Sequence, residues 1–280
     1  MQLLKTDAIC QKIYDNIMSY PIEQRQIVHL AAILVGHEAA SLRFIEHKRK
    51  QALKLGYQFS LVHLDINSTK HDIILTITQL NKNQEITGII LQLPLPNRLH
   101  AWEITKHIAP HKDIDCLNPV NMGAFFTGAG RIYPGTAKAI ELICQHYDID
   151  IKSKRVLILG DSNLVGKPAA FWCLLNKATI TVCNKYTSCL QNVTEESDII
   201  ISATGKQNLI PHDWLRSHQV IFDIGIHIQK ASVSGDIDCP EVREKVAAIT
   251  PVPGGVGPLT VAVLMQHLLL FKFEPDTVSP

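Results

Sequence analysis

A lysine, a glutamine and two aspartates are the side chains best placed to move a proton or hold a polar ligand. Lys48 lies in Glu38-Ala39-Ala40-Ser41-Leu42-Arg43-Phe44-Ile45-Glu46-His47-Lys48-Arg49-Lys50, a run read as a helix to about 55. There Ser41, Phe44 and Lys48 fall at i, i+3 and i+7, on one face. A lysine works as a base near neutral pH only if burial or neighbours lower its pKa. A lone helical lysine is more often solvated, and Arg49 and Lys50 strengthen that reading, so only its position singles Lys48 out. Gln92 interrupts the apolar run Gly88-Ile89-Ile90-Leu91-Gln92-Leu93 near its C-terminal end, where open α/β sheets place ligands. A buried amide must find partners, so it either ties down a loop or meets something catalytic. Asp113 and Asp115 lie in Lys112-Asp113-Ile114-Asp115-Cys116-Leu117-Asn118-Pro119, and two acids within a loop usually mean a turn or a solvated cap.

Thr250-Pro251-Val252-Pro253-Gly254-Gly255-Val256-Gly257-Pro258-Leu259-Thr260 packs three glycines and three prolines into eleven residues. That composition reads as neither a helix nor an ordinary strand. The prolines extend the chain and the glycines let another molecule approach the backbone. An apolar helical run, 259–271, follows, which puts Thr260 near a helix N-terminus with free amides.

The elements that must position these groups follow from hydrophobic periodicity. A helix is expected over 3–19, then a strand at 27–36 buried on both faces. The helix carrying Lys48, a strand at 57–64, a polar helix at 69–82 and a strand at 88–93 continue the alternation, followed by short helices at 99–108 and 136–147. A second series opens with Arg155-Val156-Leu157-Ile158-Leu159-Gly160. The segment Asp161-Ser162-Asn163-Leu164-Val165-Gly166-Lys167-Pro168 then begins a helix, and further strands are expected at 178–183, 198–202 and 220–224. Strand, glycine turn and helix in that order are the setting of a dinucleotide site, although Gly-x-Ser-x-x-x-Gly is a weak form of the fingerprint. The fold expected is α/β with two domains, the second a Rossmann-type parallel sheet. The residues 275–280 read as a disordered tail.

With 280 residues, 46% hydrophobic and 19% charged, the chain can bury two cores. A formal net charge of +1 gives no electrostatic case for nucleic acid or an acidic membrane surface. The opening MQLLKTDAICQKIYDNI lacks the features of a secretory signal and no apolar run is read as a membrane span, so a cytoplasmic location is expected. Seven scattered cysteines without a CxxC pair read as reduced, mostly buried thiols, with no metal site.

Six motifs in order resemble the bifunctional methylenetetrahydrofolate dehydrogenase/cyclohydrolase family: Val35-Gly36 through Lys48, Gly88 through Pro96, Lys112 through Asp115, Gly160 through Pro168, Asp223-Ile224-Gly225-Ile226, and Thr250 through Thr260. The resemblance implies a folate-binding catalytic domain over 1–120 plus 251–280, with the C-terminal helix returning to it, and a dinucleotide domain over 121–250. It implies that Lys48 is the general acid/base residue, Gln92 its hydrogen-bond partner and Asp115 the group gripping the pterin. Phe44, Leu91 and Leu93 would contact substrate, and Pro253, Gly254, Gly255, Val256 and Gly257 would line a folate cleft between the domains. Gly160, Asp161, Ser162, Gly166, Lys185, Ile226 and Thr260 would hold the cofactor, NADP by family habit with NAD open. The implied activity is oxidation of 5,10-methylenetetrahydrofolate to the methenyl form and its hydrolysis to 10-formyltetrahydrofolate, in a homodimer.

Departures from the family pattern fall in the functional loops. Phe44 stands where a tyrosine is usual, Cys116 replaces a glycine, and Pro134-Gly135-Thr136-Ala137 replaces Pro-Cys-Thr-Pro. Asp161 replaces an arginine that pairs with the 2′-phosphate, and Asn184-Lys185-Tyr186-Thr187 replaces His-Ser-x-Thr. Asp161 argues against NADP selectivity while Lys185 argues for it. The alternative to an active bifunctional enzyme is a divergent folate- or nucleotide-binding paralogue with cyclohydrolase activity only or little turnover.

Overall fold

The structure is a computed structural model and describes residues 1–274 apart from 97, 230, 231 and 238; the tail expected at 275–280 lies outside the described residues. The chain forms two compact units, Met1–Gln11 with Pro134–Thr260, and Lys12–Tyr133 with Val261–Pro280. This division differs from 1–120 plus 251–280 against 121–250. Gln2–Leu3 is a short strand paired in parallel with Ala248–Ile249, which takes the first residues into the unit containing Pro134–Thr260.

The unit containing Lys12–Tyr133 is built on three parallel strands in the order Gln58–Leu64, His29–Val35, Gly88–Leu91. The central strand is covered on both faces, and residues Leu30 to Val35 are all buried, as its unbroken apolar run requires. Helix Ala39–Lys54 follows it, and helix Lys70–Lys82 starts at a capping box in which Thr69 and Asp72 satisfy each other's backbone amides. Helix Pro119–Phe126, not anticipated from periodicity, begins with proline at its first turn and with the Asn118 side chain accepting from the Val120 amide. The opening helix is shorter than the expected 3–19, running Asp7–Met18, because Gln2–Leu3 pairs instead as strand.

The last helix runs Val256–Phe273, three residues earlier than the sequence suggests, so part of the glycine–proline stretch is helical. Proline is tolerated in a first turn, where its missing amide would have no helical partner. With 18 residues this helix is long and apolar enough to cross a membrane by length and composition alone, which corrects the expectation that no run is. It is instead a core element. Met265 O accepts from Tyr57 Oη at 3.3 Å, and the His267 ring bonds Ile114 O at 2.8 Å. A Cβ on Gly88 would lie 2.5 Å from Ile114 and 2.7 Å from Leu268, so glycine lets loop and helix close on the strand.

The other unit holds a six-stranded parallel sheet in the order Gln2–Leu3, Ala248–Ile249, Val220–Asp223, Ile199–Ser202, Arg155–Leu159, Thr179–Cys183. From Arg155–Leu159 the chain first goes to one side and then crosses to the other. The strand order therefore reverses beside this strand, which creates the crevice where doubly wound sheets bind ligands. Leu157, Leu159, Ile200, Ile221 and Ile249 pack one core of the unit with helix Pro240–Lys245 against it through Val242. A separate antiparallel pair, His227–Gln229 with Ser232–Ser234, was not legible in the sequence.

Candidate active site

Lys48 is in the third turn of helix Ala39–Lys54, on the face that also carries buried Ser41 and half-buried Phe44. Its Nζ donates to Gln92 Oε1 at 3.0 Å. Gln92 lies one residue past the end of strand Gly88–Leu91 and is 6% exposed. Its amide N donates to Ile33 O at 2.9 Å, extending the ladder by one step, and its Nε2 donates to Leu93 O at 2.6 Å. Both ends of the side-chain amide are thereby committed, and its oxygen faces the amine. Leu91 is buried, Leu93 is half-buried, and the Leu93–Pro94 bond is cis. Burial pushes the Lys48 pKa below its ordinary value, and the charge of Asp115 pulls it back up. Burial likewise raises Asp115, with Lys48 lowering it.

The two acids of the 112–119 loop have different jobs. Asp113 runs alongside Ile89 in a parallel bridge and is fully buried. Its Oδ1 accepts from Leu117 N at 3.0 Å, and its Oδ2 from Asn118 N at 2.8 Å and Asn121 Nδ2 at 2.9 Å. Burial lifts its pKa to about 6 against those bonds. Lys112 is also structural: its buried amine donates to the carbonyls of Leu80, Asn81 and Asn83 at the end of helix Lys70–Lys82. Asp115 alone is left half-buried, its carboxylate acting on Lys48 through charge. Cys116 has φ +57, the left-handed region that favours glycine, and its buried thiol reaches Ile132 O at 3.8 Å. The cysteine keeps the turn a glycine would make, at a cost of about 1 kcal/mol in backbone strain.

In the other unit, the turn after Arg155–Leu159 stands at the strand-order reversal. Gly160 has φ +101, and a Cβ there would sit 2.5 Å from Ala203 O; a Cβ on Gly166 would collide with Gly160 O. Two bare glycines thus keep the turn tight and the helix Gly166–Leu175 close to it, a cradle that fits a dinucleotide's phosphates. Ser162 Oγ accepts from Val165 N at 3.2 Å and from Gly166 N at 3.4 Å, fastening the loop. Asp161 and Lys185 are exposed. Asn184 Nδ2 donates to Asp161 Oδ2 at 3.0 Å, and Lys185 Nζ lies 4.9 Å over the Tyr186 ring. Ile226 lies close to Gly257, its Cδ1 3.7 Å from where a Cβ would stand.

Thr260 lies near the helix N-terminus, as expected, but one turn inside it. The helix begins at Val256, so the unpaired N–H groups belong to its first turn, and the Thr260 hydroxyl donates to Gly257 O at 2.6 Å. Upstream of that helix, Gly254 and Gly255 carbonyls accept from the buried Thr6 hydroxyl, at 3.2 and 2.7 Å, and Pro253 is exposed after a cis bond.

One cluster escaped sequence reasoning. Buried Asp236 accepts from Ser202 Oγ at 3.0 Å, Thr204 N at 2.8 Å and Thr204 Oγ1 at 2.9 Å, and pairs with the His227 ring at 2.8 Å. Asp223 in turn accepts from the Asp236 amide at 3.0 Å and the Ile237 amide at 2.8 Å. The two carboxylates tie the ends of strands Ile199–Ser202 and Val220–Asp223 to the loop at Asp236 and Ile237. Asp223 lay in a recognised motif, but nothing near Asp236 in the chain announces a partner 34 residues earlier.

Fold and site together define a two-unit α/β protein with a Rossmann-type nucleotide unit and, in the other unit, a lysine and amide joined at a sheet end with a carboxylate acting on them. Comparison with known proteins makes the class specific. The family model for the tetrahydrofolate dehydrogenase/cyclohydrolase catalytic domain matches residues 4–115, and that for the NAD(P)-binding domain matches 134–274. The chain is 39% identical over 255 residues to the bifunctional protein FolD of Legionella pneumophila strain Corby, covering 90% of each. It is similar to the FolD methylenetetrahydrofolate dehydrogenase/cyclohydrolase structure from Campylobacter jejuni, with TM-score 0.92 and 32% identity over 99% of this chain and 100% of that one. The Trypanosoma brucei FolD complexed with NADP and an inhibitor gives TM-score 0.91 and 29% identity over 98% and 97%. The chain belongs to the tetrahydrofolate dehydrogenase/cyclohydrolase family.

Proposed function

We propose that this protein oxidises 5,10-methylenetetrahydrofolate to 5,10-methenyltetrahydrofolate and hydrolyses that product to 10-formyltetrahydrofolate, a bifunctional enzyme of one-carbon metabolism. The observation that carries the reading is the Lys48–Gln92 bond at a sheet end, with Asp115 acting on the same amine. A nicotinamide dinucleotide, NADP in the trypanosomal relative, supplies the hydride acceptor when bound to the unit with the Gly160 turn.

Loss of hydride from the bridging carbon leaves a cationic methenyl carbon. Water adds there and a base takes one of its protons; the remaining hydroxyl proton passes to the ring nitrogen as the C–N bond that closes the ring breaks to leave the formyl group. Lys48 is that base: burial favours its neutral amine, which alone can accept a proton. Gln92 orients the amine through a neutral oxygen, so it fixes the lone pair without stabilising the ammonium as a carboxylate would. Asp115 takes the pterin's N3–H and 2-amino group as a bidentate acceptor. Phe44 stacks on the folate, and Leu91 and Leu93 flank Gln92.

The test is formation of methenyltetrahydrofolate, followed by its near-ultraviolet absorbance, then its hydrolysis, with each dinucleotide. Turnover in both steps is expected. A folded protein that turns over neither would be a folate-binding paralogue, and the reading would fail.

A homodimer is part of this proposal. Strand Thr179–Cys183 ends the six-stranded sheet, and its outer edge offers unpaired backbone with Val182 41% exposed and Leu174 45% exposed nearby. Light scattering should give twice the chain mass, and Val182→Lys should lower it. Seven free cysteines suit a reducing compartment, in line with a cytoplasmic enzyme.

A further inference from the structure

The sequence leaves Asp161 and Lys185 pulling cofactor choice in opposite directions, and the geometry separates them. Asp161 is the first residue after Gly160, at the mouth of the crevice where the strand order reverses. Its carboxylate is held. Asn184 follows the neighbouring strand Thr179–Cys183, and its Nδ2 donates to Asp161 Oδ2 at 3.0 Å. The Asn184 amide cannot simply turn over, because its Oδ1 accepts from Tyr186 N at 3.0 Å, and the turn is closed by Asn184 N donating to Thr187 Oγ1 at 3.0 Å. The end of the second strand is where this class of sheet meets the adenosine ribose, commonly with a carboxylate on the 2′-hydroxyl. Here the carboxylate arrives from the first turn and is pinned to that place by Asn184.

Two lysines of the flanking loops have contacts of their own. Lys185 Nζ lies over the Tyr186 ring at 4.9 Å, and Lys167 Nζ donates to Asn163 Oδ1.

We infer that Asp161, set by Asn184, makes this chain select NAD over NADP, with the free Asp161 carboxylate oxygen accepting from the ribose 2′-hydroxyl. A 2′-phosphate there would bring about two negative charges against a fixed third, while a hydroxyl donates to it. The inference rests on the reading of this unit as the nicotinamide dinucleotide site.

The test is binding as well as turnover. Dissociation constants for NAD⁺, NADP⁺, AMP and 2′,5′-ADP are measured by calorimetry on the full chain and on Asp161→Asn, Asp161→Ser and Lys185→Met. Wild type should bind NAD⁺ about tenfold or more tighter than NADP⁺, and AMP tighter than 2′,5′-ADP. Asp161→Asn and Asp161→Ser should narrow both ratios, chiefly by improving the phosphorylated ligands, while Lys185→Met should leave them in place. Equal or tighter NADP⁺ binding by wild type would overturn the inference while leaving the dinucleotide reading intact. So would NADP⁺ binding that collapses in Lys185→Met, since the lysine would then be reading the phosphate. Failure of every ligand to bind the folded chain would overturn the reading of the unit and this inference with it.

Discussion

Lys48 and Gln92, 44 residues apart, meet through one hydrogen bond of 3.0 Å whose acceptor is fixed from behind by a 2.6 Å bond from Gln92 Nε2 to Leu93 O. The amide offers its oxygen to the lysine because its nitrogen is already engaged. A neutral acceptor in a buried place leaves the amine's pKa depressed.

Replacing Lys48→Met removes the base and a partly buried amine together. Cyclohydrolase turnover should fall by about 100-fold or more, while the melting temperature stays level or rises, because no polar amine remains to be desolvated. Unchanged turnover in the folded variant would remove Lys48 from the mechanism.

The substitution Gln92→Glu tests the neutrality of the acceptor. A carboxylate there stabilises the ammonium, so the lysine pKa rises by about 1 unit or more. Since the neutral amine is the base, the rate should rise with pH through a midpoint displaced upward, and activity at neutral pH should drop. A pH–rate profile of cyclohydrolysis superimposing on wild type would show that Gln92 does not tune the amine.

Asp113→Asn separates the structural acid from the functional one. Three donors converge on the Asp113 carboxylate, and an amide presents one of its ends to them as another donor. The change should cost about 1–3 kcal/mol in denaturant unfolding. Asp115→Asn should leave stability nearly unchanged yet weaken folate binding, and equal stability losses in both variants would collapse the distinction.

At Gly160, alanine meets a positive φ and a carbonyl together, the latter 2.5 Å from its Cβ. Gly160→Ala should cost about 1–3 kcal/mol and weaken dinucleotide binding at least tenfold, read by calorimetry. Native affinity in this variant would mean that the turn is not the phosphate cradle.

By itself the sequence determined the α/β class, the parallel strands from His29 to Asp223 and the glycine turn after Leu159. Each is written in a local pattern, an unbroken apolar run or glycines at a strand-to-helix junction, and local patterns survive any tertiary arrangement compatible with them. It also brought Lys48, Gln92 and Asp115 into view, through a helix face, a polar break in a strand and a family motif. Tertiary structure decided the rest. Gln2–Leu3 became strand because Ala248–Ile249 lay open to it, and the last helix starts at Val256, inside a stretch whose glycines and prolines argued against it. Asp113 and Asp115 are indistinguishable as residues two apart in a loop. Only the amides of Leu117 and Asn118, turned inward by the fold, claim the first and leave the second free. Asp161 with Asn184, and Asp236 with Ser202, are partners separated by 23 and 34 residues. No periodicity carries such a pairing, since it depends on where two strands end in space.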